Sequence, residues 1–233
     1  VSELAASVAL EEARIRDVYA RRAADQRCRP GNPVHLFMLQ SRERAFLKLV
    51  DTRFGPLADQ RILEIGCGSG QWLLDLIRWG ARPDRLTGLD LLPDRIEEAR
   101  RRCPDAVRLI CGSAAATGLA GGAYDIVLQS TAFSSVLDTG VRRAIAAEML
   151  RLLAPAGRIV WYDFFVDNPW NADVRRVGRS EIAALFPGCR VHLSRITLAP
   201  PVARALLPLS RVACEMLERM PLFCTHYLGV VTR

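Results

Sequence analysis

Arg61-Ile62-Leu63-Glu64-Ile65-Gly66-Cys67-Gly68-Ser69-Gly70 runs an apolar strand pattern straight into three alternating glycines. Beyond it a second apolar run, Leu86-Thr87-Gly88-Leu89, ends on an acid, Asp90. Glycine lets the backbone turn sharply and approach a ligand closely, and the helix that follows offers free N–H groups. A carboxylate at the end of the second strand is placed to accept hydrogen bonds from ribose hydroxyls. The stretch therefore predicts a nucleoside-binding strand–helix–strand unit.

Which nucleoside it suits depends on a third glycine. The dinucleotide fingerprint is G-x-G-x-x-G. Counted from Gly66 the third position is Gln71, and counted from Gly68 it is Leu73, so both registers fail. No Gly-Lys-Ser/Thr occurs, and the one lysine is Lys48, so a Walker loop is excluded as well. What fits is E-x-G-x-G-x-G. "ILEIGCGSG" followed by "LTGLD" resembles the first two motifs of class I S-adenosylmethionine-dependent methyltransferases. The competing reading, a glycine turn in another α/β domain, is weakened by Asp90.

Composition is consistent with a folded α/β protein. The chain has 233 residues, half of them apolar, enough to bury a substantial core. Its formal net charge of +7 is carried almost entirely by arginine. Arg14, Arg16, Arg21 and Arg22 interleave with Glu11, Glu12 and Asp17, the pattern of a solvated helix face. Arg100, Arg101 and Arg102 fall where cations complement a helix C-terminus. The seven cysteines are scattered without a C-x-x-C pair, so neither a zinc site nor a disulfide framework is expected. Cys67 and Cys111 are expected as small buried thiols at strand ends. With no signal-peptide pattern and no apolar run of membrane length, the expectation is a cytoplasmic protein.

Strand and helix patterns alternate from residue 61 onward. Strands are expected at 61–65, 85–90, 107–111, 124–129 and 158–165, with helices at 72–79, 93–102 and 139–153. Pro155-Ala156-Gly157 is expected to turn the chain after the last of these helices. Two amphipathic helices, 4–22 and 36–51, precede them across a loop at 28–33. A short helix at 180–186, a strand at 190–198, an apolar segment at 200–223 and a strand at 226–232 follow. Alternation of this kind predicts a parallel sheet covered on both faces, with its ligand crevice at the carboxyl ends of the strands. The family resemblance adds a Rossmann-like seven-stranded sheet, mostly parallel with an antiparallel last strand, helices on both faces and an N-terminal helical lid. One domain spanning 1–233 is expected, divided into a lid (1–58), a cofactor-binding core (59–165) and substrate-side elements (166–233).

The resemblance also implies site residues. Gly66, Gly68 and Gly70, with Cys67 between them, would pass beneath the methionine part of S-adenosylmethionine, which leaves as S-adenosyl-L-homocysteine. Glu64 would orient this loop and help bind the methionine amino group. Asp90 would take the ribose hydroxyls and Leu91 would pack on adenine. At the third motif Ser113, followed by Ala114, stands where family members usually carry an acid near the adenine amino group. A hydroxyl or the Ala114 N–H can still bond there, without charge assistance worth about 1 kcal/mol. Gln129, with Ser130, would lie beside the sulfonium. Asp125 is read as structural.

The acceptor is less defined. Gln129-Ser130-Thr131-Ala132 stands where nucleic-acid N-methyltransferases carry Asn/Asp-Pro-Pro-aromatic, and no basic stripe with interleaved aromatics occurs. A small-molecule acceptor is therefore expected, with no nucleic acid as partner. Tyr19, His35, Phe133 and Tyr162 are candidates for its pocket. Asp163 is the candidate general base if the acceptor needs one, and no metal is expected. Whether the chain forms a homodimer is left open. The alternatives are an RNA or protein methyltransferase using the arginine-rich surface, and a catalytically silent cofactor-binding regulatory domain.

Overall fold

The computed structural model describes residues 2–22, 32–169 and 171–233. Residues 28–31 of the expected loop, and Trp170, lie outside the described residues. Two long helices open the chain, α1 (Ser2–Arg22) and α2 (Pro33–Arg53). Asn32 caps α2 by accepting the Val34 and His35 N–H groups, and Pro33 fits the first turn because its missing donor is not needed there. The alternating core follows: β1 (Ile62–Ile65), α3 (Gln71–Arg78), β2 (Leu86–Asp90), α4 (Pro93–Arg102), β3 (Arg108–Cys111), β4 (Tyr124–Ser130), α5 (Thr139–Leu152) and β5 (Leu153–Phe164). It closes with α6 (Arg179–Leu185), β6 (Arg190–Leu198), α7 (Pro200–Leu206), α8 (Arg211–Glu218) and β7 (Cys224–Thr232).

All seven strands join one sheet in the order β3-β2-β1-β4-β5-β7-β6. The pairs from β3 to β5 are parallel, while β7 runs antiparallel to both β5 and β6. This is the Rossmann-like mixed sheet the resemblance implies. Strand side chains alternate between the two faces. Leu63, Ile65, Val127 and Trp161 pack beneath α5 and α6, and Ile62, Ile126, Val160 and Tyr162 pack beneath α2, α3 and α4. Burial on both faces explains why these strands read as continuous apolar runs.

Two expectations need correction. Residues 155–157 do not stand outside the sheet, because β5 already begins at Leu153, which pairs with Tyr124. The register then shifts, and the ladder resumes at Arg158 opposite Ile126. A Cβ on Gly157 would come within 3.0 Å of the Ala154 and Tyr124 carbonyl oxygens, so this bulge needs a glycine. Cys111, expected as a buried thiol, is exposed because β3 is an edge strand.

Candidate functional site

At the carboxyl ends of β1, β2 and β4 lies a cleft of about 460 Å3. One wall is made by the glycine loop, β2's end and the turn after β3; the other by α1, the turn after β4 and α5. Gly66, Gly68 and Gly70 all have left-handed backbone, with φ of 73°, 52° and 79°. They nevertheless do different things. A Cβ on Gly66 would approach that of Ala132 to 3.0 Å, whereas one on Gly68 would meet nothing within 4 Å. Gly68 therefore offers bare backbone to the cleft. Gly70 is off the cleft wall: its Cβ would sit 2.7 Å from Cys103 Sγ, so this glycine lets α3 pack on α4.

The loop is fastened by β2. Gly66 and Cys67 donate to the Leu89 carbonyl at 2.8 and 3.0 Å, and Gly68 donates to Asp90 Oδ2 at 2.8 Å. Leu92 N–H reaches Asp90 Oδ1 at 2.9 Å. Burial raises the Asp90 pKa, and these two N–H bonds work against that rise. A carboxylate has about four acceptor positions, so Asp90, on the cleft wall, keeps capacity for ligand hydroxyls. Glu64 is 2 % exposed, and its Oε2 has no hydrogen-bond partner among the described residues. Desolvation drives its pKa well above the ordinary carboxylate value, opposed by the charge of Arg42. Arg42, which sequence reasoning missed, lies 4.2 Å over the Trp72 ring and 3.4 Å from Asp75. A buried carboxylate left unpaired in a cleft wall fits a cationic ligand group.

Leu91, Ser113 and Ala114 line the same cleft. The Ser113 hydroxyl accepts the Ala115 N–H at 3.2 Å, fixing the turn after β3. Cys67 also lines the wall, its thiol pKa raised by burial. Gln129 stands one layer behind. It is fully buried, absent from the wall, and its Oε1 accepts the Ala132 N–H at 3.2 Å. It thus shapes the turn that carries Ser130, Thr131 and Ala132 into the cleft. Thr131 has φ of 54°, uncommon for a β-branched residue, and its N–H is held by the Tyr162 carbonyl at 2.7 Å.

The acceptor-side expectations fare unevenly. Tyr19 and Phe133 are on the wall. The Tyr19 hydroxyl lies 3.2 Å from Ser135 Oγ, and the Phe133 ring packs 4.7 Å from Trp161. His35 and Tyr162 are not on it. Tyr162 lies on the α2 side of the sheet, bonded to Thr197 Oγ1 at 3.2 Å and stacked on His226. Burial and Arg42 push His226 down to about 4, so it stays neutral. Asp163 is corrected as a general base. It is fully buried off the cleft, accepting the Ser134 N–H at 3.0 Å and the Phe164 N–H at 2.9 Å. Burial lifts its pKa to about 6. Its place is to hold the short helical turn Phe133–Ser135.

From α1, expected as part of the lid, Tyr19 was named but Glu12 and Ile15 were missed. Glu12, Ile15 and Tyr19, spaced three and four residues apart, place one helical stripe on the cleft. That spacing was the available signal. Glu11 corrects the solvated-face reading: it is buried, pairs with Arg14 at 2.8 Å and accepts the N–H groups of Leu137 and Asp138. Arg14 reaches the Ser135 carbonyl. Arg142, also missed, is fully buried and donates to the Val136 carbonyl at 2.6 Å, the Arg175 carbonyl at 3.1 Å and Glu181 at 2.6 Å. Among the described residues no cluster of three or more His, Cys, Asp or Glu side chains is placed to hold a metal.

Residues 62–157 match the family model of a methyltransferase domain. The demethylmenaquinone methyltransferase of Lactococcus lactis subsp. lactis (strain IL1403) is 28 % identical over 112 residues, covering 46 % of this chain and 43 % of that protein. A tRNA N(3)-cytidine methyltransferase of Gallus gallus is 26 % identical over 118 residues, 47 % of this chain and 32 % of that protein. The chain thus spans less than half the length of these curated relatives. The crystal structure of the Burkholderia thailandensis 1,6-didemethyltoxoflavin-N1-methyltransferase, with 1,6-didemethyltoxoflavin and S-adenosylhomocysteine bound, superposes with a TM-score of 0.62. At 17 % identity it covers 95 % of this chain and 88 % of that one, a likeness of fold. The resemblance to S-adenosylmethionine-dependent methyltransferases is borne out over residues 62–157.

Proposed function

We propose that this chain, whose residues 62–157 form a class I S-adenosylmethionine-dependent methyltransferase domain, methylates a small, largely apolar molecule. The observation that carries the proposal is the second wall of the cleft. Ile15, Phe133, Val136, Val141 and Ile145 line it, and α1 lies across it, leaving a space of about 460 Å3. A concave, mostly apolar space with a few polar groups suits a small ligand.

The first wall holds the cofactor. Glu64 would meet its amino group, the Gly66–Gly68 backbone would take the close approach, Asp90 would receive the ribose hydroxyls, and Leu91 with Ala114 would flank the base. When bound, S-adenosylmethionine supplies a methyl group activated by its sulfonium. The protein contributes alignment and exclusion of water. With Asp163 turned inward and Glu11 occupied by backbone donors, Glu12 is the acceptor-wall carboxylate left to meet a polar acceptor group. Among the described residues its one hydrogen-bonded partner is Arg16, at 3.3 Å.

The test is transfer of labelled methyl to a small-molecule extract, to total RNA and to protein in parallel. Label in the small-molecule fraction, lost in Asp90→Ala, supports the proposal. Label confined to RNA or protein overturns the acceptor class. Failure of the wild type to bind S-adenosylhomocysteine in calorimetry overturns the enzyme reading.

A further inference from the structure

Of the nine exposed large apolar side chains among the described residues, five fall within 209–222: Leu209, Val212, Met216, Met220 and Leu222, between 50 and 81 % exposed. Val212 and Met216, four residues apart on α8, share its outer side as one ridge, and Leu209, Met220 and Leu222 stand in the segments that flank the helix. The inner side is accounted for. Cys214 is buried with Phe37, Leu198 and Ala203, Arg211 bonds Gln40 at 2.7 Å, and Glu218 pairs with Arg44 at 3.0 Å. The ridge is therefore not a loosely packed core face. It is a surface that the fold holds outward.

We propose that this ridge docks on an anionic phospholipid bilayer. A contiguous apolar surface on an otherwise polar exterior marks an interaction site, and the charges around it favour this occupant. Arg219 follows α8 directly and Arg204 stands on α7, which packs against α8; both are exposed and have no acidic partner among the described residues. The chain carries a net charge of +7. A second copy seated two-fold on the ridge would bring these arginines together and set +7 against +7. An anionic lipid surface attracts the same groups and accepts the apolar side chains between its headgroups. The position is favourable too: β6 runs parallel to β5, so Leu198, where α7 and α8 leave the sheet, lies at the end that bears the cleft. Among the described residues no helix is long and apolar enough to cross a membrane, so this contact is with the surface.

Flotation of the full chain with vesicles of equimolar phosphatidylglycerol and phosphatidylcholine, and with phosphatidylcholine alone, tests the proposal. The wild type should float with the mixed vesicles, less with the neutral ones, and less again in high salt. Val212→Glu with Met216→Glu should lower the bound fraction about tenfold, and Leu222→Ser less, with S-adenosylhomocysteine binding and thermal midpoint retained. Three outcomes overturn it: no flotation of the wild type, equal flotation with neutral vesicles, or full flotation of the double variant. A wild-type dimer in sedimentation that the double variant converts to a monomer would assign the ridge to a second copy instead.

Discussion

The two walls of the cleft are built by different means. In the cofactor wall the contacts are local and mostly backbone. Gly66 and Cys67 lean on Leu89, and Gly68 is tied to Asp90 across 22 residues. In the acceptor wall the contacts span the chain and run from buried charged side chains to backbone groups. Glu11 caps Leu137 from 126 residues away, Arg14 reaches Ser135 across 121, and Asp163 holds Ser134 across 29. The first wall needs specific residues at specific spacings because the backbone itself faces the cleft. The second needs only that some charged group be buried behind a turn, which many residues can satisfy.

Substitutions can break this contrast. The largest effect is expected from Arg142→Ala, which strips donors from the Val136 and Arg175 carbonyls and leaves Glu181 with Arg175 as its remaining partner. Two carbonyls left without donors cost about 1–3 kcal/mol each, so stability should fall by about 2–5 kcal/mol in denaturant unfolding. Affinity for S-adenosylhomocysteine should change by less than about threefold if the two walls are independent. A loss of affinity that tracks the loss of stability would mean that the walls form one unit.

Asp163→Asn should change the pH profile, while its amide can accept only one of the two N–H groups that the carboxylate holds. The carboxyl titrates near 3.8 in the unfolded chain and at about 6 in the fold, because burial disfavours its charge. The folded form thus keeps the proton through that window, and wild-type stability should fall by about 3 kcal/mol as pH rises across it. The variant should lack that slope in unfolding curves taken from pH 4 to 7. An unchanged slope would place the titration elsewhere.

For the cofactor wall, Asp90→Ala should weaken S-adenosylhomocysteine binding by about 2–3 kcal/mol, roughly a hundredfold, in calorimetry. Wild-type affinity in this variant would contradict the assignment of the first wall. The smallest effect is expected for Glu11→Gln, about 1 kcal/mol. Burial raises the Glu11 pKa, but Arg14 and the Leu137 and Asp138 N–H groups bring it below 4.5. Its contribution is present above that pH and fades as pH falls through the folded value. The variant should show a flatter acid limb, measured by thermal unfolding between pH 3 and 6.

The same contrast explains what was legible from sequence. The strand–glycine loop–strand unit and the sheet it implies could be read because burial on both faces leaves continuous apolar runs, and because positive φ at Gly66 and Gly68 demands glycine. Asp163 and Tyr162 could be placed on opposite faces of β5 by alternation, but not on a cleft. Which face the turn at 133–135 would take depends on a bond to Ser134 that no periodicity carries. Glu11 looked solvated because its partners are backbone groups of residues 137 and 138. Gly70 belonged to the motif by spacing, yet it serves helix packing against Cys103 rather than the ligand.

The place of β7 bears on how the chain is made. It is read after β6 but lies between β5 and β6, so until residues 224–232 have emerged no strand joins these two. During synthesis the growing chain must keep two unpaired strand edges apart, each able to bind another molecule. Gly229 concentrates this demand. A Cβ there would lie 2.0 Å from the His192 carbonyl oxygen, so the inserted strand can slide home only with bare backbone at that point.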